Sequence, residues 1–262
     1  MKNPSIKILA LVSYMAMVFV NFLANSLPIN NRSTGEISEA YPNLFAPAGF
    51  AFSIWGLIYL LLAVYLIYQF IYLNKKENKK KEEFFKKINL LFILTSIANI
   101  LWIFSWHYDF IGVSVLIMAV LLFSLLKISN IIQNEKIPVK EKRFISIPFN
   151  VYLGWITVAT IANVTVFLVS VGWKGFGISD FIWTSVVLVV GAMIGILRIN
   201  KSKNISYGLV FVWAYFWILF KHLSPSGFNG NYPSIIATSA ICILLFVLVL
   251  LRIVYRKDSV AK

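Results

Sequence analysis

The chain has 262 residues, 60% of them hydrophobic and only 13% charged, with a mean hydropathy of +0.81. A water-soluble domain runs nearer half apolar and a quarter charged, so lipid must cover part of this surface. The net charge of +14 invites a nucleic-acid reading, but its placement along the chain argues for a different origin. With one cysteine, Cys242, and two distant histidines, His107 and His222, neither an internal disulfide nor a cysteine- or histidine-based metal centre can be built.

A bilayer core of about 30 Å needs roughly 20 apolar residues per helical crossing. Eight such runs follow one another, over 6–24, 48–73, 88–106, 110–132, 147–170, 179–198, 206–222 and 233–254. They are continuous rather than alternating, which indicates helices and not barrel strands. The expectation is an all-α integral membrane protein, a bundle of about eight transmembrane helices. Lys2 and Lys7 before the first run, and Ala24-Asn25-Ser26 after it, have a signal-peptide flavour. The run is long for that role and no clear cleavage site follows, so it is taken as a span.

The first connection, 25–47, contains Leu27-Pro28, Asn30 to Glu36, Tyr41-Pro42 and Ala46-Pro47, a set of turn formers that predicts an ordered lid. Asn31-Arg32-Ser33 fits the N-glycosylation pattern, but nothing points to a pathway that would use it. The next connection carries the lysine cluster of 75–87. Counted alternately, the N-terminus and the connections at 74–87, 127–146 and 198–205, together with the C-terminus, hold 21 basic residues; the opposite side holds Arg32, Lys174 and Lys221. The positive-inside rule requires this asymmetry. It predicts both termini in the cytoplasm, in a multi-pass protein of the inner or plasma membrane. The lysine cluster can also meet anionic headgroups, at about 1 kcal/mol per residue.

All ten acids fall in connections or at helix ends. Ion pathways usually place ionisable groups at mid-membrane, so ion-coupled transport is disfavoured. No phosphate loop, zinc-protease or hydrolase motif is present, and hydrolase and ATPase readings have no support.

Three spans carry aromatic stripes with amides. Phe52, Trp55 and Tyr59 share one face of the second span, Asn99, Trp102 and Trp106 one face of the third, and Tyr152, Trp155, Ala159 and Asn163 one face of the fifth. Any single stripe is more often packing or an interfacial belt, as Trp173 and Trp183 suggest. Three stripes facing a common centre would line a cavity with flat apolar walls, suited to a planar hydrophobe.

These stripes resemble the TspO/MBR family, the tryptophan-rich sensory proteins related to the mitochondrial translocator protein. Pro47, Phe52, Trp55 and Tyr59 are similar to the family's P-P-x-x-x-F-x-x-x-W-x-x-L-Y, with one proline and the leucine altered and the phenylalanine–tryptophan spacing shifted by one. Asn99 and Trp102 match its N-x-x-W. Pro148 followed by Trp155, Ala159, Thr160 and Asn163 is similar to its P-Y-x-x-W-x-x-x-A-T-x-x-N, with the proline further away. The resemblance implies a five-helix membrane domain over 1–170, followed by a three-helix extension over 171–262 that ordinary members lack. It implies binding of a tetrapyrrole or sterol-like molecule between spans two, three and five, by Phe52, Trp55, Asn99, Trp102, Trp155, Ala159 and Asn163. No cofactor is required; a porphyrin or haem is a candidate ligand.

Two other readings remain open. The eight-span count suits a facilitative transporter for a small hydrophobic or amphipathic solute, though no internal repeat is visible. Alternatively the last three helices dock a partner: Gly191-x-x-x-Gly195 is a small-residue pattern for close helix contact, including a homodimer. Expected partners are thus membrane lipids, a hydrophobic small molecule and a second copy, with no nucleic acid.

Overall fold

The computed structural model describes residues 4–27, 29–72, 79–135 and 137–260. Pro28 of the lid reading, and Lys2, Lys75, Lys76, Lys136 and Lys262 of the charge reading, lie outside the described residues. The described chain is all helical: α1 Pro4–Ser26, the short α2 Thr34–Ala40, α3 Ile54–Tyr72, α4 Lys79–His107, α5 Ile111–Asn134, α6 Val139–Ser170, α7 Asp180–Ser202, α8 Ile205–Leu223 and α9 Pro233–Val260. Eight helices are long and apolar enough to cross a membrane, matching the eight apolar runs. An even number of crossings returns both termini to one side. The opposite side, the lid end, carries α2 and the 108–110, 171–179 and 224–232 connections.

Several helices outlast their apolar runs. α4 begins at Lys79 rather than near 88, and α6 at Val139 rather than near 147. The apolar length measures the bilayer, whereas the helix continues wherever its backbone bonds are kept and its charges can reach water. Lys87 pairs with Glu83 at 2.9 Å one turn away, and Lys81 pairs with Glu141 at 3.0 Å, joining the two extensions. Pro148 lies inside α6 without ending it.

α6 sits at the centre, packed against α3, α5 and α8, with a lighter contact to α7. α1 lies along α4, α4 along α5, and α9 covers α7 and α8. α3 approaches α6 closely but α4 much less. The space between α3 and α4 is filled by Tyr65, Phe85, Phe92 and Phe149, whose rings meet at 4.8 to 6.5 Å. Below the middle of the bundle, Asn89 accepts from the Tyr65 hydroxyl at 2.9 Å and exchanges two bonds with Gln69, so these buried polar groups are satisfied.

Gly191 and Gly195 face inward. A Cβ on Gly191 would meet the Tyr215 hydroxyl at 2.6 Å and Ile161 at 3.1 Å; one on Gly195 would meet Phe211 and Phe246 below 3.0 Å. The small-residue pattern is therefore used within the chain, where it lets α7 approach α6, α8 and α9.

Candidate functional site

The lid is ordered, as its turn formers predict. Ser33 caps α2: its hydroxyl accepts from the Glu36 N–H at 3.3 Å, and its own N–H donates to the Glu36 carboxylate at 2.6 Å. This reciprocal capping box supports a helix of only seven residues. These bonds, the backbone N–H foremost, hold the Glu36 carboxyl below its usual 4.5.

Two anchorages hold the lid over the bundle. On one side, Arg32 pairs with Asp109, which also accepts from the Tyr41 hydroxyl at 3.0 Å. Partial burial, then Asp109, raises the Tyr41 phenol above its usual 10.0. Nearby, Asn30 donates to the His107 carbonyl at 2.8 Å, and Trp106 Nε1 to the Thr34 carbonyl at 3.1 Å. On the other side, α8 supplies the anchors. His222 Nε2 bonds the Leu44 carbonyl at 2.9 Å, the Ala48 N–H donates to the Trp217 carbonyl at 3.1 Å, and Trp213 Nε1 to the Ala51 carbonyl at 3.1 Å. His107 is fully buried beneath the lid, with Nδ1 on the Ile103 carbonyl.

Under this lid lies a cavity of about 270 Å³, lined by Asn21, Asn25, Thr34, Phe52, Ser53, Trp55, Tyr59, Trp102 and Ile103. Phe52 enters from a 3₁₀ turn, Gly49–Ser53, which precedes α3; the sequence reading had one continuous helix there. α1 runs along α4 and scarcely touches α3, apart from the Tyr14 hydroxyl donating to the Tyr59 carbonyl at 2.8 Å. The gap between α1 and α3 on the lid side of that bond is the cavity, with exposed Asn25 and Ser53 at its rim.

Of the seven residues singled out in the sequence, three line this space: Phe52, Trp55 and Trp102. Trp155 stands behind them, its ring edge-on to Phe52 at 6.0 Å and to Trp55 at 6.4 Å. Asn99 and Asn163 are anchors. Asn163 accepts from Trp102 Nε1 at 2.9 Å and donates to Ser114 Oγ at 2.9 Å. Asn99 accepts from Asn21 at 2.6 Å and donates to the Tyr152 hydroxyl at 3.4 Å. Ala159 is half-buried packing against the core.

The sequence reading placed the pocket between spans two, three and five. In the structure α1 forms one wall, with Asn21 and Asn25. The signal was available: these two amides stand one turn apart on a span that is otherwise almost wholly apolar. Two lining hydroxyls, Thr34 Oγ1 and Tyr59 Oη, are buried and have no hydrogen-bond partner among the described residues. Unpaired buried hydroxyls are uncommon because each costs about 1–3 kcal/mol, so a pair facing one cavity marks a place where something else supplies the partners.

The arrangement is four aromatic rings, two amides and three hydroxyls, one of them on the Tyr59 ring, with no charge. The family model described as TSPO-like protein matches residues 7–252. The chain belongs to that family. The TSPO-like match spans residue 170 and takes in α7, α8 and most of α9. No curated protein and no solved structure matches the chain. Among the described residues no cluster of His, Cys, Asp and Glu could hold a metal ion.

Proposed function

We propose that this TSPO-like membrane protein is a receptor or sensor that binds a flat hydrophobic ligand, tetrapyrrole or sterol-like, in the cavity under the lid. The observation that carries the reading is the lining itself: Phe52, Trp55 and Trp102 offer faces for stacking, while Thr34 and Tyr59 hold unpaired hydroxyls for a ligand's polar edge. At about 270 Å³ the cavity lies just below the roughly 300–1,000 Å³ of ligand pockets, so a macrocycle is admitted only edgewise, with the lid raised. The lining contains no His, Cys or Met, and both histidines are engaged with carbonyls elsewhere. The site therefore reads a ring system rather than an iron atom, and a porphyrin should bind with or without metal.

A transport reading needs a path through the bundle. Tyr14–Tyr59 and Asn21–Asn99–Tyr152 lie across the inner end of the cavity, which favours sensing over flux. The charge asymmetry supports a cytoplasmic location for both termini. Cys242 is buried, so Glu39→Cys in the lid should be labelled by an impermeant maleimide on intact cells.

The binding test is tryptophan quenching by protoporphyrin in detergent micelles. Saturable quenching is expected, equal within about twofold for the iron-loaded ring. Trp55→Phe and Asn21→Leu should each weaken it about tenfold, by lost stacking and a lost amide wall. No saturable quenching by any tetrapyrrole or sterol analogue would refute the reading.

A further inference from the structure

Two cavities outside the aromatic site meet at Phe181, which lines both. The first, about 710 Å³, lies at the lid end between residues 38–46, the start of α7 and the α8–α9 connection. Its walls carry charges of both signs: Glu39 and Asp180 against Lys221. The Lys221 ammonium sits over the Phe228 ring, 5.6 Å from its centroid, and makes no ion pair among the described residues. Glu39 acts on it only through space. The connection bearing Phe228 is held by backbone bonds: the Phe228 N–H donates to the Lys221 carbonyl at 2.9 Å, and that of Gly230 to the His222 carbonyl at 2.8 Å. The charges are thus presented on a fixed frame.

The second cavity, about 400 Å³, is a groove running from Phe181 between α7 and α9, with Val186, Val189, Val190 and Thr238 in its walls. Two of its three hydroxyls are satisfied by their own helices. Ser185 donates to the Phe181 carbonyl at 2.9 Å and Thr238 to that of Ser234 at 2.8 Å, so the groove presents carbon. From Phe181 to Val190 is nine residues, or about 13 Å of helix, close to half of a hydrocarbon core of about 30 Å. The groove has the length of one leaflet and opens among residues that face lipid.

We infer that the two cavities together bind one zwitterionic glycerophospholipid from the leaflet at the lid end. Its phosphate meets Lys221, its primary ammonium meets Glu39 and Asp180, and one acyl chain lies along α7 and α9. The two carboxylates disfavour a purely anionic headgroup, which would bring like charge into a partly desolvated cavity. The groove distinguishes a lipid from a water-soluble zwitterion, which would fill only the first cavity. The site shares no lining residue with the aromatic cavity.

Native mass spectrometry of the full chain, released from micelles doped with phosphatidylethanolamine or phosphatidylglycerol, tests this. Wild type is expected to retain the ethanolamine lipid about fivefold better. The pair Glu39→Gln with Asp180→Asn should abolish the preference, while Lys221→Gln should lower retention of both lipids, whose phosphates it meets alike, and Lys221→Arg should keep that retention. Val189→Trp, on the lipid-facing groove wall, should lower retention of both lipids. Wild-type helicity and thermal midpoint in each variant show that the fold is intact. Equal retention of the two lipids by wild type overturns the proposal, as does an unchanged preference in the pair Glu39→Gln with Asp180→Asn, or undiminished retention of both lipids in Lys221→Gln. Competition by soluble glycerophosphoethanolamine as strong as by its lysolipid does so too.

Discussion

Trp102 turns its face to the aromatic cavity because its Nε1 is tied behind it to Asn163, which is in turn held by Ser114 on α5. Asn163 is thus a positioning residue for the indole. Asn163→Leu would leave the indole N–H and the Ser114 hydroxyl without that partner, each unmade bond costing about 1–3 kcal/mol. The expected result is a lower thermal midpoint together with weaker porphyrin quenching, and Asn163→Asp should restore most of the quenching by keeping an acceptor for Trp102. A midpoint loss with unchanged quenching would mean that Trp102 needs no anchor. The sequence carried much of this: helical spacing placed Trp102 and Asn163 on faces that could meet. It could not say which way an amide turns once there. Asn99 and Asn163 were expected in the lining but bind their neighbours, whereas Asn21, one hydrogen bond from Asn99, forms the wall. Pairings across 61 and 78 residues are fixed by tertiary packing, to which a local pattern is blind.

At the scale of elements, the lid is a seven-residue helix with little of its own to hold it. Its order rests on the Ser33–Glu36 box, on Arg32, Tyr41 and Asp109, and on α8. The folded Glu36 carboxyl titrates below its usual 4.5, so its contribution is present above that value and lost as pH falls through the depressed one. Tyr41 is shifted upward, so its contribution is kept below 10.0 and lost as pH rises beyond. The lid should therefore be tightest between these limits. Hydrogen exchange of residues 34–40, corrected for the intrinsic pH effect, should show protection falling on the acid side; Ser33→Ala should mimic this at neutral pH, at a cost of about 1 kcal/mol. Asp109→Asn, which weakens the Arg32 strap, should raise the porphyrin association rate if the lid must lift; an unchanged rate would place the ligand's path elsewhere. Turn chemistry made an ordered lid legible in the sequence. Its attachments to α8 were not, since Leu44 and His222 lie 178 residues apart.

Over the whole molecule, the eight crossings were readable because bilayer thickness imposes a length on each apolar run and the charges alternate with them. The relation of the last three helices to the first five was not, because hydropathy records that a helix is buried in something without recording in what. In the structure the turn carrying Phe52 hangs from Trp213 and Trp217 of α8, so the aromatic cavity depends on helices that contribute nothing to its lining. α8 itself is seated on α6 at Gly154, where a Cβ would stand 2.9 Å from the Val210 Cβ and 3.0 Å from the Tyr207 carbonyl oxygen. Backbone and a branched side chain cannot yield there, so Gly154→Ala must push α8 away from α6, an overpacking cost of about 1–3 kcal/mol. The consequence should reach beyond stability. With α8 displaced, the Ala48 and Ala51 bonds lengthen, Phe52 shifts relative to Trp55 and Trp155, and porphyrin quenching weakens even though the substituted residue is remote from the ligand. Gly56→Ala is the matched control, because its Cβ would meet nothing within 4 Å. Quenching that survives Gly154→Ala as well as it survives Gly56→Ala would show that the first five helices hold the aromatic cavity by themselves.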